Sequence, residues 1–331
     1  VIADTVGAIL LASLSLYAIF AGADFGGGFW DLTAGGDERG HAPRQLIDES
    51  ITPVWEANHV WLIFVLVIFW TAFPTAFASV MTAAALPLWL AAFGIVLRGA
   101  GFAFRREVET LRWRRFFGAI FAFSSLITPF FMGTVVGAVA AGKIRLDATH
   151  TSVSVWTGPT SLLIGVLFVA VCAYLAAVYL ITEAVRRSNR TLEKYFTHRA
   201  EIAGIVAGVL SLVTLLEVRR SDTLLYHGLI GRALVLVVVA GVSGVVVLLL
   251  LITGRRHGLR VVSALGAVAV VWGWAVAQYP RLLPGTGLTL ANGSSPHATL
   301  VSIVVLFVLA VVLVGPSFVF LYSLQSRRLL E

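Results

Sequence analysis

Nine apolar runs of about twenty residues each divide this chain, and no other feature restricts its fold as strongly. A bilayer core of roughly 30 Å is crossed by about twenty helical residues at ~1.5 Å each. Backbone polar groups in lipid must be paired internally, so runs of this length and spacing predict helices. The cores lie near 6–30, 53–73, 76–104, 116–140, 157–185, 202–217, 229–253, 261–279 and 298–324, the sixth being the shortest. Hydrophobic residues make up 59% of the 331 and charged residues only 12%, which places the chain among integral membrane proteins. The formal charge of +7 does not signal nucleic-acid binding, because the basic residues sit in short clusters between apolar runs.

Those clusters fall unevenly. Arg39, Arg44, Arg105, Arg106, Arg112, Arg114, Arg115, Arg186, Arg187, Arg190, Lys194, Arg199, Arg255, Arg256, Arg260, Arg327 and Arg328 follow odd-numbered runs. Only Lys143, Arg145, Arg219, Arg220 and Arg281 follow even-numbered ones. A split of seventeen to five predicts an outside N-terminus and a cytoplasmic C-terminus. Val1-Ile2-Ala3-Asp4 carries no positive n-region, so the first run reads as a retained span and not a cleaved signal. The single cysteine, Cys172, lies within an apolar run, and no C-x-x-C-H haem attachment or cysteine metal site occurs.

Polar residues inside such runs are costly and mark function by default. The second run opens S-I-T-P-V-W-E-A-N-H-V-W, with Thr52 a suitable N-cap and Pro53 suited to the first helical position. Glu56 and His59, three apart, share one face, and Trp55 and Asn58 share its neighbour. Asp24 precedes three glycines, Gly26, Gly27 and Gly28, which allow a close helix crossing. Arg98 lies seven residues inside Arg105, or roughly 10 Å deep, beside Gly99 and Gly101. With the predicted topology Asp24, Glu56, His59 and Arg98 come to one cytoplasmic third, where two acids and an arginine can neutralise one another and exchange protons. Pro129 and Gly315-Pro316 predict a kink and a break in the fourth and ninth runs, and Glu183 an interfacial ion pair. No two histidines face each other at mid-membrane as a bis-histidine haem requires.

The runs A-D-F-G-G-G at Ala23–Gly28, T-P-V-W-E-A-N-H-V-W-L at Thr52–Leu62 and A-Q-Y-P at Ala277–Pro280 resemble subunit II of cytochrome bd-type quinol oxidases, over nearly the whole chain. The resemblance implies an all-α integral membrane protein of about nine transmembrane helices, arranged as two four-helix bundles plus one extra helix. Residues 1–140 would form the first bundle, 141–281 the second, and 282–331 an outer loop with the ninth helix. It implies a bacterial cytoplasmic membrane and a haem-bearing partner, subunit I, whose b and d haems oxidise quinol and reduce dioxygen to water. No metal or haem is expected on this chain itself. Room is left for a structural quinone or lipid, and for small single-helix accessory subunits. Asp24, Glu56 and His59 would belong to a proton pathway from the cytoplasm. Trp61 and Arg98 would lie near the subunit I haems or interface, with Trp55 beside Trp61 on the docking face. Some relatives carry Asp in place of Glu56 and Gln in place of His59. A second reading, a proton-coupled transporter using Asp24, Glu56 and Arg98, lacks paired broken helices at the midplane.

Overall fold

The computed structural model describes residues 1–147, 149–221 and 223–326. Arg327, Arg328 and the C-terminus, which contribute to the predicted orientation, lie outside the described residues. Lipid forces the long apolar runs into helices, and helices dominate the chain. They are α1 (Ile2–Leu32), α2 (Asp37–Ala72), α3 (Pro74–Ala83), α4 (Ala85–Glu107), α5 (Leu111–Ala140) and α6 (Val153–Trp156). After these come α7 (Pro159–Arg186), α8 (Arg190–Ser221), α9 (Thr223–Ile230), α10 (Leu234–Ile252), α11 (Leu259–Gln278) and α12 (His297–Ser326). Among the described residues eight helices are long and apolar enough to cross a membrane, and His297–Leu313 adds a shorter apolar one. Helices α1, α2, α4 and α5 form one four-helix bundle and α7, α8, α10 and α11 the other, with α12 the extra helix against α1 and α2. The bundles meet where α1 and α5 pack on α7.

The glycines of α1 make that junction. A Cβ on Gly26 would lie 1.9 Å from the Cys172 carbonyl oxygen of α7, and one on Gly28 2.1 Å from Ser125 Oγ of α5. One on Gly27 would lie 1.9 Å from Ile51 Cδ1 of α2. Successive residues turn ~100° round a helix, so three glycines in a row clear three directions for three neighbours.

Several boundaries differ from the sequence expectation, each for a tertiary reason. The helix expected to start at Thr52 begins at Asp37 and passes through Pro43 and Pro53. Thr52 is no N-cap: its hydroxyl donates to the Asp48 carbonyl, 3.2 Å away. The added turns bury Leu46, Ile47 and Ile51 against Trp30, Ala177 and Ile181. Full burial of a leucine or isoleucine contributes about 2 kcal/mol, so the three together match the ~3 kcal/mol cost of each of the two interior prolines. The third run is divided at Ala84 into α3 and α4. Pro87 cannot donate to the Ala83 carbonyl, which instead accepts from the Thr151 hydroxyl at 3.2 Å. The seventh run is preceded by the separate α9, and the sixth extends to the 32-residue α8. The expected break in the ninth run does not occur, since α12 continues through Pro316, as α5 does through Pro129.

At the other end of the molecule β1 (Arg281–Leu283) and β2 (Leu288–Thr289) form a small antiparallel hairpin. Leu283 and Leu288 join Val6, Phe73 and Leu300 in an apolar cap over the helix ends. Ser295 completes it, its N–H and hydroxyl donating to the Ala72 and Thr71 carbonyls at 2.8 and 2.7 Å.

Candidate functional site

Helix α1 carries acids at 24 and 31 and helix α4 arginines at 98 and 105, seven apart in both cases. Seven residues are two helical turns, so each pair lines one face of its helix, ~10 Å apart. Both α1 and α4 pack on α5, and the arginines of α4 reach the acids of α1 in two layers.

In the inner layer Asp24 Oδ1 lies 2.7 Å from Arg98 Nη2, with Asp24 0% and Arg98 2% exposed. Arg98 Nη2 also donates to the Asp24 carbonyl at 2.9 Å, and Nε donates to Ser125 Oγ at 2.9 Å. Asn58 of α2, 2% exposed, donates from Nδ2 to Asp24 Oδ2 at 3.1 Å, while its own Oδ1 is buried without a hydrogen-bond partner. The guanidinium sits 4.6 Å from the Phe121 ring centroid and 5.4 Å from that of Phe25. Four helices and two aromatic faces therefore hold one ion pair in low dielectric, where an unpaired charge would be expensive.

The outer layer is wetter. Arg105 bridges Asp31 of α1 and Asp48 of α2, and Arg44 donates from Nε to Asp31 Oδ1 at 3.1 Å. Arg105 lies 4.9 Å from the Phe121 centroid, so one phenyl ring separates the arginines of the two layers. Asp31, Asp48 and Ser125 are not among the residues expected from sequence; the matched seven-residue spacing of Asp24–Asp31 and Arg98–Arg105 is the signal that points to Asp31.

Of the residues expected to cluster, the structure brings Asp24 and Arg98 together, adds Asn58, and leaves Glu56 outside. Asn58 is two residues on from Glu56, ~200° round α2, so the buried amide and the acid point in opposite directions. Glu56 is exposed, and the arginine expected to neutralise it is committed to Asp24. His59 is half-buried, with Nδ1 2.7 Å from the Trp55 carbonyl and its ring edge-on to Trp55. Asn58, expected on one face with Trp55, turns into the bundle to Asp24. Trp61 is half-buried against Phe64 and the cluster of Tyr17, Phe25 and Cys172. Glu183 forms the expected end-of-helix ion pairs, with Arg260 and, at 3.4 Å, with Arg186.

Comparison with known proteins places this arrangement. The family model described as "Cytochrome bd terminal oxidase subunit II" matches residues 3–325. Cytochrome bd ubiquinol oxidase subunit 2 of Bacillus subtilis is 26% identical over 297 residues, covering 87% of this chain and 85% of that protein. Cytochrome bd-I ubiquinol oxidase subunit 2 of Escherichia coli K12 is 27% identical over 182 residues, 53% of this chain and 46% of that protein. A chain of the bd oxidase of Geobacillus thermodenitrificans shares the fold, with a TM-score of 0.77 at 21% identity over 98% of both chains. The matched span takes in both bundles, both charge layers and nearly all of α12, and the chain belongs to the cytochrome bd terminal oxidase subunit II family.

Proposed function

We propose that this chain is the haem-free half of a heterodimeric oxidase, docked in a bacterial cytoplasmic membrane beside a haem-bearing subunit I. The complex would oxidise quinol and reduce dioxygen to water, as the names of the matched ubiquinol oxidase subunits suggest. The observation that carries this reading is the family match over residues 3–325. The donor set of this chain does not suit a haem. Six of its seven histidines are exposed at helix ends or in loops, and His59 is held on its own backbone by the Trp55 carbonyl.

In this reading the chain contributes a scaffold and part of a proton route. Reducing dioxygen consumes protons, and a site buried in apolar protein needs ionisable groups along the way. Asp48, Asp31 and Arg105 would meet a proton first at the basic, cytoplasmic end. The Asn58–Asp24–Arg98 layer would hold the inner end of α1, α2 and α4 in register. Glu56, exposed on the far side of α2 with His59 one turn on, would pass a proton to a neighbouring subunit. The carrier reading is weaker, because it needs Asp24, Glu56 and Arg98 on one accessible surface, and Arg98 is enclosed with Asp24.

The test is purification through a tag on this chain. A second membrane subunit should accompany it, and the complex should show b- and d-type haem absorption with quinol-dependent oxygen uptake. Recovery of this chain alone, free of haem and stable, would overturn the proposal.

A further inference from the structure

Where α1 ends and α8 begins, Trp30, Thr33, His198, Arg199 and Ile202 line a cavity of about 280 Å³. Its α8 wall follows the basic run Arg186, Arg187, Arg190 and Lys194 in the chain. Arg199 is the chemically unusual wall. Its guanidinium carbon sits 3.4 Å from the Tyr195 ring centroid and 5.6 Å from that of Trp30, so two aromatic rings fix its plane. Among the described residues it pairs with no carboxylate. Its one hydrogen bond there is long, Nη1 to the Tyr195 carbonyl at 3.5 Å. Its Nε is buried without a partner, as is the Tyr195 hydroxyl on the ring it covers. Glu201, two residues on, is ~200° round α8 from Arg199, but it lies 3.8 Å from His198, so the histidine edge of the cavity carries an acid and Arg199 is its free cationic side.

A half-buried, oriented guanidinium whose two Nη groups carry only that one long hydrogen bond suits a phosphate, whose oxygens match its fork. Of the remaining lining, Trp30 and Ile202 are apolar, while Thr33 gives its hydroxyl to the Phe29 carbonyl at 3.2 Å and His198 is polar. The Trp30 indole N–H is already given to the Ala173 carbonyl at 2.8 Å, so the ring presents only its face. Directly along α8 from the cavity runs an exposed apolar stripe of Ile202, Ile205, Val206 and Val209. A polar head at Arg199 and a chain along that stripe reproduce the two ends of a phospholipid at the membrane surface. We propose that this cavity binds the phosphate headgroup of an acidic phospholipid, with Arg199 as the anion-binding residue and the α8 stripe as the acyl-chain track.

The test uses the intact oxidase, purified and delipidated, with lipid retention followed by native mass spectrometry and apparent affinity by thermal shift. The probes are dioleoylphosphatidylglycerol, dioleoylphosphatidylcholine and inorganic phosphate. Phosphatidylglycerol should bind, and Arg199→Gln should weaken it at least tenfold. Thr33→Trp, which fills the cavity and leaves Arg199 in place, should weaken it to a similar degree and supplies the readout if Arg199→Gln fails to assemble. Equal binding of phosphatidylcholine would overturn the acidic-lipid assignment. Arg199-dependent binding of inorganic phosphate as tight as that of the lipid would overturn the lipid source. Unchanged phosphatidylglycerol binding in Thr33→Trp would overturn the site.

Discussion

Asp24 and Arg98 form an ion pair at 2.7 Å that neither water nor lipid reaches. Breaking it from one side should be far worse than removing it. Arg98→Met leaves an uncompensated acid among four helices, with an expected cost of about 3–5 kcal/mol. Asp24→Leu combined with Arg98→Met removes both charges and should recover much of that loss. The amount of assembled complex in membranes and its thermal midpoint measure both. A double variant as poor as Arg98→Met would mean that the Arg98 contacts to Ser125 and the Asp24 carbonyl matter more than the charge pairing.

The three glycines of α1 should differ in their tolerance of alanine. Gly26→Ala drives a methyl into the Cys172 backbone, which can move only if α7 moves. Gly28→Ala meets the Ser125 side chain, and that displaces the hydroxyl which accepts from Arg98. Gly27→Ala meets the end of Ile51, which can change rotamer. Overpacking of this kind costs about 1–3 kcal/mol where side chains give way and more where backbone must. The expected order of lost assembly is Gly26, then Gly28, then Gly27, read from immunoblots of membranes and haem absorbance.

The legible part of this fold was the part lipid dictates. Twenty-residue apolar runs have few alternatives, and the depths of Asp24 and Arg98 follow from counting turns. Contacts between distant residues were hidden. Thr52-Pro53 is a good local start signal, yet burial of Ile47 and Ile51 against α7 carries the helix through it. The α3–α4 break depends on Pro87 and on Thr151, which no local window joins. In the candidate site, the helical phase of Glu56 relative to Asn58 was legible, but the side of α2 that faces the bundle was not. Asn58 sits opposite Glu56, so pairing Asn58 with Asp24 settled where the acid points.

Orientation can be tested with the chain's own chemistry. Its single native cysteine, Cys172, is buried, so background labelling by a membrane-impermeant maleimide should be low. Cysteine introduced at Lys194 should react only after the inner face of the membrane is opened, and cysteine at Thr286 should react in intact cells. The seventeen-to-five basic split predicts this result. The reverse pattern would invert the assignment and put the outer charge layer, Asp31, Asp48 and Arg105, on the wrong side for proton uptake.

The role assigned to Glu56 depends on its being an acid and not on its shape. It is exposed on α2, so a neutral amide of the same size should leave the packing of this chain intact. Glu56→Gln should therefore keep haem content near normal while lowering oxygen consumption per haem by about a hundredfold, the low end of what a positioned proton-transfer group contributes. Glu56→Asp keeps the acid with a shorter reach and should retain a larger share of turnover. His59→Gln should fall between Glu56→Gln and the native protein, because its Nδ1 is already tied to the Trp55 carbonyl and only the other ring nitrogen is open to a relay. Oxygen uptake with excess quinol, normalised to haem, is the measurement for all three. Undiminished turnover in Glu56→Gln would move the entry point to another acid, with Asp48 and Asp31 next to be tested. Loss of haem in both Glu56 variants would assign the residue to docking of the partner subunit.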